Sequence, residues 1–276
     1  MQHIPILLKW QKNLMWRHGS MTLYVFGDSF ASIETDSTMS VTAREQLISK
    51  AWSVLLSKKL GVELKNFGIS GSSLEYTYYK FHQICADFKE DDIIVIVLTD
   101  LLRKWIIQDR PVTSSLVAVE MHGNLNSNLI KCARWYFANV LNVEVEEVHL
   151  QNFLHAVNAT TPHLKVKPLF ICAFDDESRG RWGININTVN RSQINNFATG
   201  SLWEVSSYEI EHADAKIAVK TNLKKEFRLN HLSDVQHPIL ADKILDYIHN
   251  GTVVDLTTGV VKNIYNKKDL INQGIL

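Results

Sequence analysis

The run Ile93-Ile94-Val95-Ile96-Val97-Leu98 contains no polar residue. A strand with one wet face alternates polar and apolar side chains. An unbroken run instead suits a strand covered by helices on both faces, as in a parallel sheet. Lys167 to Phe174 repeats the pattern, and Leu23-Tyr24-Val25-Phe26 is a shorter version of it. Between such runs lie helical patterns. Thr42-Ala43-Arg44-Glu45 has the form of a capping box, and Leu47, Ile48, Ala51, Trp52, Leu55 and Leu56 then recur at helical spacing, with a stop at Lys58, Lys59 and Gly61. Val62 to Asn66 reads as a short strand. Residues 73–88, 125–141, 143–158 and 238–249 read as helices, the last with Pro238 early, where its missing amide costs little. Strands alternating with helices predict an α/β fold with a mostly parallel central sheet.

A chain of 276 residues that is 46% hydrophobic can bury one substantial core. The simplest organisation is an N-terminal extension (residues 1–20), one domain over 21–250 carrying a surface insertion at 175–200, and a tail over 251–276. That tail is expected to form a small hairpin about Thr257-Thr258-Gly259. Lys+Arg and Asp+Glu balance at 29 each, and no tract of five basic residues occurs, which argues against a nucleic-acid partner held through phosphates. The apolar piece Ile4 to Leu8 is too short to span a membrane, and no cleavage site of a secretion signal follows it. Cys85, Cys132 and Cys172 lack CxxC spacing and fit a reducing compartment; the expected location is cytoplasmic, or outside the cell by a non-classical route. His149, His155 and His163 lack a recognised ligand spacing, so no metal is expected.

The chemistry is suggested at the ends of the strands, where ligands bind in doubly wound sheets. Gly27-Asp28-Ser29 follows the first strand and Thr99-Asp100 follows the third. Far downstream, Asp234-Val235-Gln236-His237 places an acid and an imidazole one helical turn apart. Ser29 is then a candidate nucleophile, His237 its base, and Asp234 the group that orients the imidazole. The duller alternative is that Asp28-Ser29 and Asp234 merely cap helices. Gly68-Ile69-Ser70-Gly71 is a glycine-containing loop after the second strand, suited to bringing a backbone amide close to a substrate oxygen, although glycine also suits an ordinary turn.

These four blocks, in this order, resemble the SGNH, or GDSL, hydrolase family across about residues 21–250. The resemblance implies a three-layer flavodoxin-like fold and ester hydrolysis through an acyl-enzyme on Ser29, with no metal or organic cofactor. It implies Asp234 and His237 as the other triad members, and Ser29, Gly71 and position 99 as the oxyanion hole. The family's asparagine at that last position is Thr99 here, whose hydroxyl is a shorter donor. Arg103 could bind an anionic group of the substrate or be a solvated charge. Trp182, Phe197, Trp203 and Tyr208 could stack on sugar rings or pack in the core. The preferred substrate is a short-chain ester, O-acetyl on a carbohydrate first. The alternative is a binding or structural protein, such as a viral or cell-surface component, that keeps the fold without turnover.

Overall fold

The computed structural model describes residues 21–34, 39–105, 127–175, 183–184, 196–210 and 231–266, with 268 and 271. The N-terminal extension, Trp182 and most of 175–200 lie outside the described residues.

Among the described residues five strands form one sheet: β1 (Thr22–Phe26), β2 (Glu63–Asn66), β3 (Ile93–Leu98), β4 (Leu169–Cys172) and β5 (Phe197–Ser201). Their spatial order is β2-β1-β3-β4-β5 and every neighbouring pair is parallel. This is the flavodoxin-like, doubly wound order, whose crevice opens where the chain reverses direction between β1 and β3. The α/β expectation therefore holds. The helices are α1 (Val41–Ile48), α2 (Trp52–Leu60), α3 (Leu74–Ile84), α4 (Ser127–Asn139), α5 (Val143–Thr160), α6 (Leu202–Tyr208) and α7 (Gln236–Asn250).

Strand periodicity sorts the core into two layers. Leu23 and Val25 of β1, Val95 and Val97 of β3 and Ile171 of β4 share one face with Trp52 and Leu56 of α2 and Leu240, Ala241 and Ile244 of α7. Tyr24, Phe26, Ile94, Ile96 and Phe170 point the other way, onto Phe81 of α3 and Leu150, Phe153 and Val157 of α5. Each central strand is buried residue by residue on both faces, which is why no charged residue interrupts it.

Three expectations change. The single helix after Thr42 is two helices, and Ser40 rather than Thr42 accepts the capping amide, from Ala43. α1 buries none of its residues, so packing does not carry it past Ser49. Within the range expected to be a surface insertion, residues 197–200 belong to β5, with Phe197 and Ala198 buried. The tail pairs with the sheet edge instead of folding on itself there. Thr199 N donates to Val254 O (2.8 Å), Leu256 N donates to Thr199 O (3.0 Å), and Val254 and Leu256 sit in the core.

Candidate active site

β1 ends in a turn built for close approach. Gly27 has φ +140°, and a Cβ there would lie 2.6 Å from Val97 O and 2.7 Å from Val97 Cβ. Only glycine fits both constraints. Asp28 follows, fully buried. Its Oδ1 accepts Phe30 N (3.0 Å), and its backbone oxygen accepts Ala31 N (3.0 Å) and Ser32 N (2.9 Å). These bonds make a tight turn stapled by the Asp28 side chain, and no helix starts here for Asp28 to cap. Ser29 is left partly exposed at the carboxyl end of β1.

Neighbouring elements fix this turn. Trp52 Nε1 donates to Phe30 O (2.9 Å), and Asn66 Nδ2, at the end of β2, donates to Ala31 O (2.8 Å). Gly68 lies so close that a Cβ on it would fall 2.7 Å from Ala31 C and Ser32 N. The first glycine of the second block therefore serves packing against the Ser29 turn. The second, Gly71, is partly exposed with φ +76°.

The imidazole that meets Ser29 is His231. Its Nε2 is 2.7 Å from Ser29 Oγ, a hydrogen bond spanning 202 residues of sequence. The ring also lies against Phe30, centroids 4.8 Å apart. His231 has φ +59°, a left-handed conformation that is uncommon outside glycine and is found where surrounding structure enforces it, often at functional positions.

Asp234 and His237 differ in their surroundings. Asp234 Oδ2 pairs with Lys50 Nζ at 2.5 Å, with 57% of its side chain exposed. His237 is the second residue of α7 and is fully buried. Helical spacing explains this placement. Leu240, Ala241 and Ile244 stand three, four and seven residues later and form the buried face, and residue 237 shares that face. The acid–imidazole spacing in the sequence is real, but one member faces water and the other the core.

Thr99 and Arg103 converge on Asp28. Thr99 Oγ1 donates to Asp28 Oδ2 (2.9 Å), and Arg103 Nη1 donates to the same oxygen (2.7 Å). The Thr99 hydroxyl proton is therefore committed to a carboxylate and not aimed at a substrate oxygen. Arg103 Nε also lies 3.7 Å from Asp100 Oδ2, and the guanidinium carbon sits 4.9 Å from the Phe174 ring centroid. With 13% of its side chain exposed, Arg103 is an internal counter-ion, not a solvated charge. Lys104 anchors the next step of this loop: its Nζ contacts Glu75 Oε1 of α3 (2.7 Å) and Glu146 Oε2 of α5. Burial disfavours the Lys104 ammonium, and the two carboxylates outweigh it, so its pKa is raised.

Of the aromatic residues proposed to stack on sugars, Phe197 stacks on Phe170 inside the core and Trp203 packs against Phe174. Among the described residues no cluster of three or more His, Cys, Asp or Glu side chains could hold a metal ion, and no helix is long and apolar enough to cross a membrane.

No family profile and no curated protein matches the chain. Several solved structures are similar to it, among them these three. One is a protein from Desulfitobacterium hafniense DCB-2 placed in the G-D-S-L lipolytic family: 10% identity, 81% of this chain and 97% of that one, TM-score 0.41. Another is a member of the lipolytic G-D-S-L family from Veillonella parvula DSM 2008: 12% identity, 84% and 100% coverage, TM-score 0.36. The third is an α/β hydrolase, LAE5, from the metagenome of Lake Arreo, Spain: 11% identity, 86% and 97% coverage, TM-score 0.39. Divergence of this depth leaves the chemistry to be read from this chain's own side chains.

Proposed function

We propose that this chain is a serine ester hydrolase of the SGNH type in which Ser29 is the nucleophile and His231 the base. The observation that carries the proposal is the 2.7 Å contact between Ser29 Oγ and His231 Nε2 at the carboxyl end of a parallel sheet. A serine hydroxyl attacks poorly unless a base within hydrogen-bond reach takes its proton. In the reaction, Ser29 Oγ bonds to the ester carbonyl carbon as its proton passes to His231 Nε2. The tetrahedral oxyanion collapses, the alcohol leaves with the proton from His231, and an acyl-Ser29 ester remains. Water, deprotonated by His231, then attacks that ester, releasing the acid and restoring the Ser29 hydroxyl. The Ser29 and Gly71 backbone amides are the proposed oxyanion donors. Because the Thr99 hydroxyl is spent on Asp28, it is not among them.

The substrate proposed is a short-chain ester. The carbohydrate O-acetyl reading loses the stacking contribution of Phe197 and Trp203, which are core residues, and rests on Trp182, outside the described residues, and on half-buried Tyr208, whose ring carries Lys262 Nζ 4.2 Å from its centroid. Acetylated sugars therefore belong in the substrate panel beside simple acetate esters.

A fluorophosphonate probe tests the assignment. The protein should label on Ser29, and labelling should disappear in Ser29→Ala and His231→Gln. Asp234→Asn should label at the rate of the unmodified protein, because that carboxylate is an exposed partner of Lys50. Loss of labelling in Asp234→Asn with retention in His231→Gln would restore the Asp-x-x-His assignment. A folded protein that never labels would favour a non-catalytic role for the fold.

A further inference from the structure

The turn that carries the base is held from another element. Three residues before His231 stands Arg228, and three after it stands Asp234, which is turned outward onto Lys50. A fully buried carboxylate reaches the same turn from another element. Glu209 ends α6, and both of its carboxylate oxygens accept the backbone N–H of Ser233, two residues past His231, at 2.8 and 3.1 Å. Its own backbone oxygen accepts Tyr265 N at 2.9 Å, tying the C-terminal segment to the same point.

A buried carboxylate is costly to keep, and a position at the negative end of a helix adds to the cost. What the contact secures is the turn over 231–233. His231 is held at φ +59°, a conformation uncommon for a side chain bearing Cβ, while Leu232 and Ser233 are pinned inside the protein. We propose that Glu209 is a positioning residue for His231: by clamping the Ser233 amide, its carboxylate holds the backbone of the base in the conformation that sets Nε2 on Ser29. The proposal rests on the reading of His231 as the base of Ser29.

The test compares Glu209→Ala and Glu209→Gln in the full chain at a temperature where both are folded by circular dichroism. A ring displaced by about 1 Å loses about 100-fold in rate, so Glu209→Ala should lower kcat on p-nitrophenyl acetate by about that factor with KM within about threefold. Glu209→Gln keeps an oxygen to accept the Ser233 amide and should recover most of the loss. A folded Glu209→Ala with wild-type kcat, or a Gln variant as impaired as Ala, would overturn the proposal. A second readout does not need turnover. The His231 ring signals in a proton–nitrogen NMR spectrum, assigned through His231→Gln, should move or broaden in Glu209→Ala. Unchanged signals would overturn the proposal even if the protein proved inactive. Failure of the hydrolase reading shows separately, as absence of fluorophosphonate labelling in the unmodified protein.

Discussion

Replacing Arg103 with leucine should unmask the cost of the carboxylate beneath Ser29. Asp28 is fully buried and, among the described residues, its charge has three partners: Phe30 N at 3.0 Å, Thr99 Oγ1 at 2.9 Å and Arg103 Nη1 at 2.7 Å. Of these, Arg103 carries the positive charge, and with 13% of its side chain exposed it is poorly screened by water. Removing one member of such a buried pair leaves an uncompensated charge and costs about 3–5 kcal/mol, well above the roughly 0–1 kcal/mol typical of a surface pair. The lost cation over Phe174 adds about 0.5–1 kcal/mol, part of which the leucine side chain returns as packing. Asp28→Asn combined with Arg103→Leu removes both charges, while the asparagine oxygen can still accept from Phe30 N and Thr99 Oγ1. The double variant should therefore cost less than Arg103→Leu alone, with a coupling of about 2 kcal/mol. Urea unfolding followed by tryptophan fluorescence measures this, through midpoints at constant m-value. An Arg103→Leu variant destabilised by under about 1 kcal/mol, or a double variant as costly as the sum of the singles, would refute the claim that Arg103 is the internal counter-ion of Asp28.

Two further outcomes follow from the same geometry. Gly27→Ala should abolish soluble folded protein or lower stability by more than about 3 kcal/mol, since it adds a Cβ 2.6 Å from Val97 O at a positive φ; a wild-type unfolding midpoint would contradict the close approach of β1 and β3. Burial pushes the Tyr247 phenol up to about 12 while its hydroxyl donates to Lys167 O at 3.0 Å. The folded state therefore holds this proton more tightly than the unfolded chain, whose tyrosine titrates near 10. The stability it contributes is full below about pH 10 and lost as pH rises toward 12. Tyr247→Phe should cost about 1 kcal/mol at neutral pH and flatten that alkaline loss in urea titrations, and an unchanged slope would count against it.

Much of the sheet is legible in one dimension because burial on both faces leaves a local trace. Ile93 to Leu98 has no polar residue because neither of its faces meets water, and β4 shows the same signature. The edge strand β5 escapes notice because Phe197-Ala198-Thr199-Gly200-Ser201 mixes small and polar residues, its outer side being covered by the tail through Thr199. Ser29 could be singled out because a glycine–acid–serine turn after a buried strand is itself local. The choice between histidines was less accessible, although one signal was present. Counting three, four and seven residues forward from His237 reaches Leu240, Ala241 and Ile244, which already marks it as a core residue of α7.

The sequence by itself determined the layered α/β architecture, the parallel order of construction and the serine at the end of the first strand, since each depends on contacts within a few residues or on the period of one element. Only the tertiary structure decided which imidazole reaches that serine, which carboxylate holds the Ser233 amide and whether Thr99 is available to a substrate. Those outcomes turn on ångström-scale distances between segments up to 202 residues apart, and a linear pattern carries no record of which way a distant side chain will face.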